Sequence, residues 1–351
     1  MSNERMMLGW QNHAEAATVA SATPAQTDRG VTNAVNRRPA RTFKAQASSR
    51  RQMSITLDLG ATYSQNLARM LTLTRHVLGT TGRFRVQAGN VADLGDPDAL
   101  FDLLADDLDP RITFTRASTK AYFDADGVLQ FAASGVFPLD HRPITGRRRG
   151  RLPEGAATNL RTRSCEFTNA AYSEDGATSL DNLATAPVGT LTAGLLLEDG
   201  SNGAHTQTDD VTITADTVYA VSRWFRAGGR HQVELKWGDT GGTDTISAVF
   251  NLRTGARPTA STTGSASSAN AFVTKARNGW VRCTVVGKIN ASSTTGRTTV
   301  SLHDGSSTSY VGVPGKGVAM WNAQVEAGSS QTSDIVTEGS TVTRAAEVAT
   351  V

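Results

Sequence analysis

The feature that most constrains this chain is a two-residue hydrophobic period, repeated in short runs across its C-terminal half. In Gln232-Val233-Glu234-Leu235-Lys236-Trp237 every second residue is apolar, and Gly238-Asp239 then breaks the run. Successive strand side chains point to opposite faces, so this period predicts a strand with one buried face. Val211 to Thr214, Tyr219 to Arg226, Thr245 to Asn251, Gly279 to Gly287, Thr298 to Leu302 and Gly317 to Val325 read the same way. Between them lie turn-forming Gly, Ser, Asn and Asp. Many short Thr/Val strands joined by such turns predict a mainly β chain folded as an antiparallel β-sandwich or jelly roll. The Ser/Thr/Ala/Gly-rich stretch Thr259 to Asn270 has little to bury and is expected to be a long mobile loop.

The chain has 351 residues, enough for two domains. Residues 1–92 read as a small N-terminal β-unit used for attachment, with a clear alternation over Met53 to Leu59 and further runs at Ala68 to Leu78 and Gly82 to Ala88. Residues 93–110 form an acidic joint with Asp at 93, 96, 98, 102, 106, 107 and 109. Asp96-Pro97 has the form of a helix N-cap followed by proline. Leu100, Leu104 and Leu108 recur every four residues, which predicts a short amphipathic helix and a candidate oligomer seam. Residues 111–351 make the main domain. It begins with what reads as an entry hairpin, the strand Ile112-Thr113-Phe114-Thr115, a turn at Asp124-Ala125-Asp126-Gly127 and a second strand at Val128 to Phe131.

A formal net charge of +3 is close to neutral for this length and gives no argument for nucleic acid. Arg147-Arg148-Arg149-Gly150-Arg151 is locally basic, but no aromatics are interleaved, so it reads as a solvated or interface loop. The two cysteines, Cys165 and Cys283, allow one bridge or two buried thiols, and thiols are the preferred reading. No secretory signal is visible in the first ten residues, and no apolar run is long enough for a membrane span. Six scattered histidines form no HxH or HExxH motif, and no GxSxG elbow is present. Asp124 and Asp126 read as turn residues, not as a carboxylate pair or a calcium loop. No metal or cofactor is expected, nor an enzyme.

Four ordered motifs carry a family resemblance. Arg111-Ile112-Thr113-Phe114-Thr115-Arg116-Ala117-Ser118, leading to Asp124 and Gly127, resembles the opening of a carbohydrate-binding-like (concanavalin-like) β-sandwich in phage and prophage fibre, head-spike and tail proteins. Gly279-Trp280-Val281-Arg282-Cys283 and Trp321-Asn322-Ala323-Gln324-Val325-Glu326 are similar to two of its later strands. Val342-Thr343-Arg344-Ala345-Ala346-Glu347 resembles its ending. Asn322 stands where that family usually has Gly. Ile55-Thr56-Leu57-Asp58-Leu59-Gly60, with Arg83-Phe84-Arg85-Val86, is similar to a discoidin-type jelly roll.

The resemblance implies a bacteriophage virion protein, a fibre, spike or tail-tip component made in the bacterial cytoplasm. Its partners would be other virion proteins, host surface polysaccharide and copies of itself, a homotrimer being commonest. Nucleic acid and membrane insertion are not implied. A purely structural connector and a polysaccharide depolymerase are the alternatives. Sugar sites pair an exposed aromatic with polar groups. Trp237 with Asp239 is therefore the first candidate, and His303, Asp304 and Tyr310 around a Ser-rich tip are the second. Trp224, Trp280 and Trp321 sit inside strands and read as core. Limited proteolysis should release a stable C-terminal fragment starting between Asp93 and Arg111. Cleavage scattered through both halves would contradict that division.

Overall fold

The computed structural model describes residues 103–350, together with the backbone of four short strands earlier in the chain. The chain divides into two compact units, Met1–Asp102 and Leu103–Val351. In the first, Arg5–Leu8 pairs antiparallel with Leu71–Thr74, and Thr18–Ala22 with Ile55–Asp58. The strand expected over Met53 to Leu59 is thus present as Ile55–Asp58. Gly82 to Ala88 and the remainder of the discoidin-like pattern lie outside the described residues.

The second unit is an antiparallel β-sandwich of two six-stranded sheets. The first sheet runs Ser173–Asp175, Thr206–Thr212, Thr295–His303, Gln232–Gly238, Thr245–Asn251, Ser261–Thr263. The second, the tryptophan sheet, runs Ala177–Ala184, Ala193–Glu198, Gly317–Ala327, Tyr219–Ala227, Trp280–Lys288, Ser267–Lys275. The two-residue period explains the layering. Val233, Leu235 and Trp237 turn inward from one sheet to meet Val221, Phe225, Cys283, Val285 and Met320 from the other. Cys165 and Cys283 are both free thiols.

Three strands of the tryptophan sheet, Tyr219–Ala227, Trp280–Lys288 and Gly317–Ala327, are buried along nearly their whole length, because this sheet is covered on both faces. Its outer face carries Trp224, Trp280 and Trp321, packed with Phe123, Leu129 and Ala121 from the hairpin Lys120–Phe123/Leu129–Ala132. Phe123 meets Trp224 edge-on, with centroids 6.1 Å apart. The hairpin turn is fastened by Asp124, whose Oδ1 accepts the Asp126 and Val128 N–H groups. Gly127 has φ +72°, and a Cβ there would strike the Pro143 carbonyl. Only glycine fits both demands.

Three sequence expectations need correction. Thr113–Thr115 does not pair with the strand that follows the turn; it pairs with Val348–Thr350 at the other end of the unit, and Lys120–Phe123 takes the hairpin role. The stretch Thr259 to Asn270 is not one long loop. It supplies Ser261–Thr263 to an edge of one sheet and the start of Ser267–Lys275 to an edge of the other. Edge strands are held by backbone bonds, so small polar side chains suffice there. The joint helix is absent where it can be seen: 103–107 is turn and bend. Here the carbonyls of Leu104, Ala105 and Asp106 accept from Arg148 Nη1, Arg151 Nη1 and Arg151 Nη2. With the backbone drawn outward to these guanidinium groups, Leu104 and Leu108 form no helical stripe, and Leu100 lies outside the described residues. Arg148 also meets Asp106 at 2.5 Å and Arg149 meets Asp140 at 2.7 Å, so the basic loop is largely spent within the unit.

The opening and closing motifs meet in one buried charge network. Glu347 holds Arg116 at 2.7 Å and Lys120 at 2.5 Å, and the side chains of Glu347 and Arg116 are fully buried. Glu347 also accepts the Glu154 backbone N–H at 2.8 Å. Replacing Glu347 by Ala strands two buried cations and should cost about 3–5 kcal/mol. Urea titration of the full chain checks this; a loss below about 1 kcal/mol would show the network is dispensable.

Candidate functional site

The structure disperses the residues first singled out for sugar binding. Trp237 is 0% exposed, so it offers no platform. Its indole fills the space above Gly296, where any Cβ would clash with the ring, and it leans on Tyr219 at 5.8 Å. Asp239 caps the next turn, accepting the Asp244 N–H at 2.8 Å. His303 Nδ1 accepts from Gly305, and Asp304 accepts from Ser306 and Ser307, so both are turn formers at an exposed tip. Those bonds hold the Asp304 carboxyl below its usual range.

Tyr310 is only half-buried but fully engaged. Its hydroxyl donates to Glu198 at 2.6 Å, Arg230 lies over its ring at 4.7 Å, and the His205 ring stands 4.7 Å away. Glu198 in turn takes a two-pronged contact from Arg230 at 2.6 and 2.8 Å, which, with Tyr310 and the Val313 N–H, holds its carboxyl below the ordinary value. This cluster fastens the Asn202–Ala204/Ser309–Val311 ribbon to the sandwich.

A different constellation forms on the outer side of the tryptophan sheet. A cleft of about 480 Å³ lies between the hairpin, the edge strand and the closing segment. Trp321 and Cys165 lie at its base. Phe131 projects from the hairpin and is 43% exposed; the strict alternation lapses here, Gln130 and Phe131 both being exposed between buried Leu129 and Ala132. Ser118, Thr119, Asn182, Thr190 and Thr192 supply hydroxyls and an amide around it, and Thr337 and Arg344 line the closing wall. An apolar ring beside a fringe of hydroxyls and amides is the chemistry a sugar ring needs.

The electrostatics beneath the cleft are well partnered. Asp334 accepts from Trp224 Nε1 at 2.9 Å and Asn322 Nδ2 at 2.7 Å, with Arg282 at 3.5 Å. Glu166 is paired with Arg163 at 2.7 Å. Burial pushes the Cys165 thiol up to about 11, which keeps it protonated at neutral pH. Among the described residues no group of acidic, cysteine and histidine side chains is arranged to hold a metal ion. Phe131 was missed because its stretch reads only as a strand; its exposure depends on which strand it pairs with.

No family model and no curated protein matches the chain. Among solved structures it is similar to the enzymatically active domain of bacteriophage CBA120 tailspike protein 4, at 12% identity and a TM-score of 0.31. That match covers 48% of this chain and 21% of the tailspike chain. It is also similar to the carbohydrate-binding module TmCBM61, solved with β-1,4-galactotriose, at 15% identity and a TM-score of 0.28, covering 48% of this chain and 97% of that one. Both matches are to β-rich proteins, and at these scores neither assigns a ligand or an activity here. They do correct one expectation. A chain whose similar structures include a domain described as enzymatically active is not placed among non-enzymes by the lack of a familiar catalytic motif.

Trp237→Ala should destabilise the sandwich by about 3–5 kcal/mol, as for other large core aromatics, whereas Phe131→Ala should cost under about 1 kcal/mol. Thermal unfolding of the two variants checks the assignment, and a mild Trp237→Ala would return that residue to the surface.

Proposed function

We propose that this chain is a phage or prophage virion component, a fibre, spike or tail-tip protein, whose sandwich unit binds host-surface carbohydrate in the Phe131 cleft. The observation that carries the binding reading is the exposed Phe131 ring beside a roomy cleft edged by hydroxyls. The virion assignment rests on the ordered motifs from Arg111 to Glu347. In this reading the N-terminal unit attaches the protein to other virion proteins. Copies of the chain assemble with rotational symmetry, a trimer first, so that one weak sugar site acts several times at once. A connector that meets only other virion proteins would bind no glycan.

The test is binding of the full chain to an array of bacterial surface polysaccharides, with the reducing ends of any bound polymer monitored in parallel. A sugar face covering roughly 60 Å² of Phe131 contributes about 1.5 kcal/mol, so Phe131→Ala should weaken binding about tenfold. Its thermal unfolding should stay close to that of the unaltered chain. Binding that ignores Phe131→Ala would place the sugar elsewhere, and failure to bind any polysaccharide would favour the connector. Release of reducing ends would make the cleft a site of glycan cleavage.

A further inference from the structure

We infer that the ligand of this cleft is an acidic sugar, of the uronate or sialate class, whose carboxylate is received by Arg344 and Thr337. The inference rests on the glycan-binding reading of the same cleft.

Arg344 lies in the closing motif and is 1% exposed, yet it lines the cleft. Its Nη2 donates to the Gly155 carbonyl at 2.9 Å and stands 3.4 Å from Glu154. Its Nε and Nη1 have no hydrogen-bond partner among the described residues. A guanidinium brings five N–H donors, and leaving those of a buried charged group unmet is costly. Thr337, 1% exposed and lining the same cleft, shows the same deficit: its backbone N–H bonds to Ser164 Oγ at 2.9 Å, but its Oγ1 has no partner among the described residues. One wall of the cleft therefore holds unspent donors on two different side chains.

Charge decides between a neutral and an anionic acceptor. Three buried cations, Arg116, Lys120 and Arg344, share two carboxylates, Glu347 and Glu154. One positive charge is in excess. Of the other carboxylates of the cleft, Asp334 shares Arg282, at 3.5 Å, with Glu326, whose own carboxyl is pushed up toward the neutral form by burial; Glu166 faces Arg163 at 2.7 Å, and Glu338 stands on the exposed rim. A neutral sugar can accept hydrogen bonds but leaves that charge unanswered. A carboxylate supplies both the acceptor oxygens and the charge, and guanidinium is the side chain best matched to it.

Two substitutions separate binding from folding. Thr337→Val keeps the side-chain shape and removes a hydroxyl that bonds to nothing within the described residues, so its melting temperature should hold or rise. Arg344→Lys keeps the charge opposite Glu154 while removing the Nε and Nη1 donors. The probes are bacterial polysaccharides bearing uronate or sialate, each paired with its carboxyl-reduced neutral form, titrated against the full chain. Carboxyl reduction and Arg344→Lys should each weaken binding about tenfold or more, and Thr337→Val about threefold to tenfold. Equal binding of the native and carboxyl-reduced forms would overturn the acidic ligand while leaving glycan binding intact. Uronate binding unchanged by Thr337→Val, in a protein of unchanged melting temperature, would also overturn it. If the unaltered chain binds none of these polymers, the glycan reading fails and the inference falls with it.

Discussion

The sandwich unit depends on one buried carboxylate. Glu347 sits four residues from the end of the chain and neutralises Arg116 and Lys120, which lie at the beginning of the unit. An ion placed in a protein interior loses its hydration, and only close, well-directed partners restore what is lost. That requirement is satisfied only when the first and last strands, Thr113–Thr115 and Val348–Thr350, lie side by side. Closure brings Val342–Arg344 onto Ala157–Asn159 and completes the wall that turns an open sheet face into a cleft. Folding and site formation are therefore one event in this unit.

The motifs behind the family resemblance are explained by architecture. Asn159, which pairs with Val342 of the closing motif, is fully buried and spends its amide on the Ala323 and Ile335 carbonyls, while its oxygen accepts from Arg161 and Val325. Asn322 has φ +45°, a left-handed conformation that suits glycine and that asparagine also tolerates. The pairing of its strand with Tyr219–Ala227 slips in register beside it. Gln324 and Glu326 then fasten the returning segment through Ile335 and Thr332. These residues specify the scaffold. Of the groups offered to a ligand, Phe131, Thr190 and Thr192 lie outside those motifs, while Ser118 and Arg344 belong to both sets.

The parts of the fold that were legible in the sequence are those where burial differs between alternate residues. Gln232–Gly238 and Thr245–Asn251 were readable because one face meets the core and the other meets solvent. Ser267–Lys275 was not, since an edge strand is held by its backbone and its side chains carry little signal. The site was largely illegible for a related reason. Whether an aromatic in a strand is platform or core depends on what covers its face, and that partner is distant in sequence. Trp237, at the end of a clean alternation, proved to be the core of the sandwich, while Phe131 proved to be exposed. The leucine spacing at 100, 104 and 108 implied a helix, but Arg148 and Arg151, more than forty residues away, take the carbonyls at 104–106 instead.

The central claim is that the cleft made by chain closure is where this protein meets sugar. The most direct measurement is a crystal structure of the chain with a bound surface oligosaccharide. The account predicts a sugar ring stacked on Phe131, with its polar groups toward Thr337 and Arg344. A sugar held instead at the His303 to Tyr310 tip, or on the outer face of the first sheet, with the cleft empty, would contradict it.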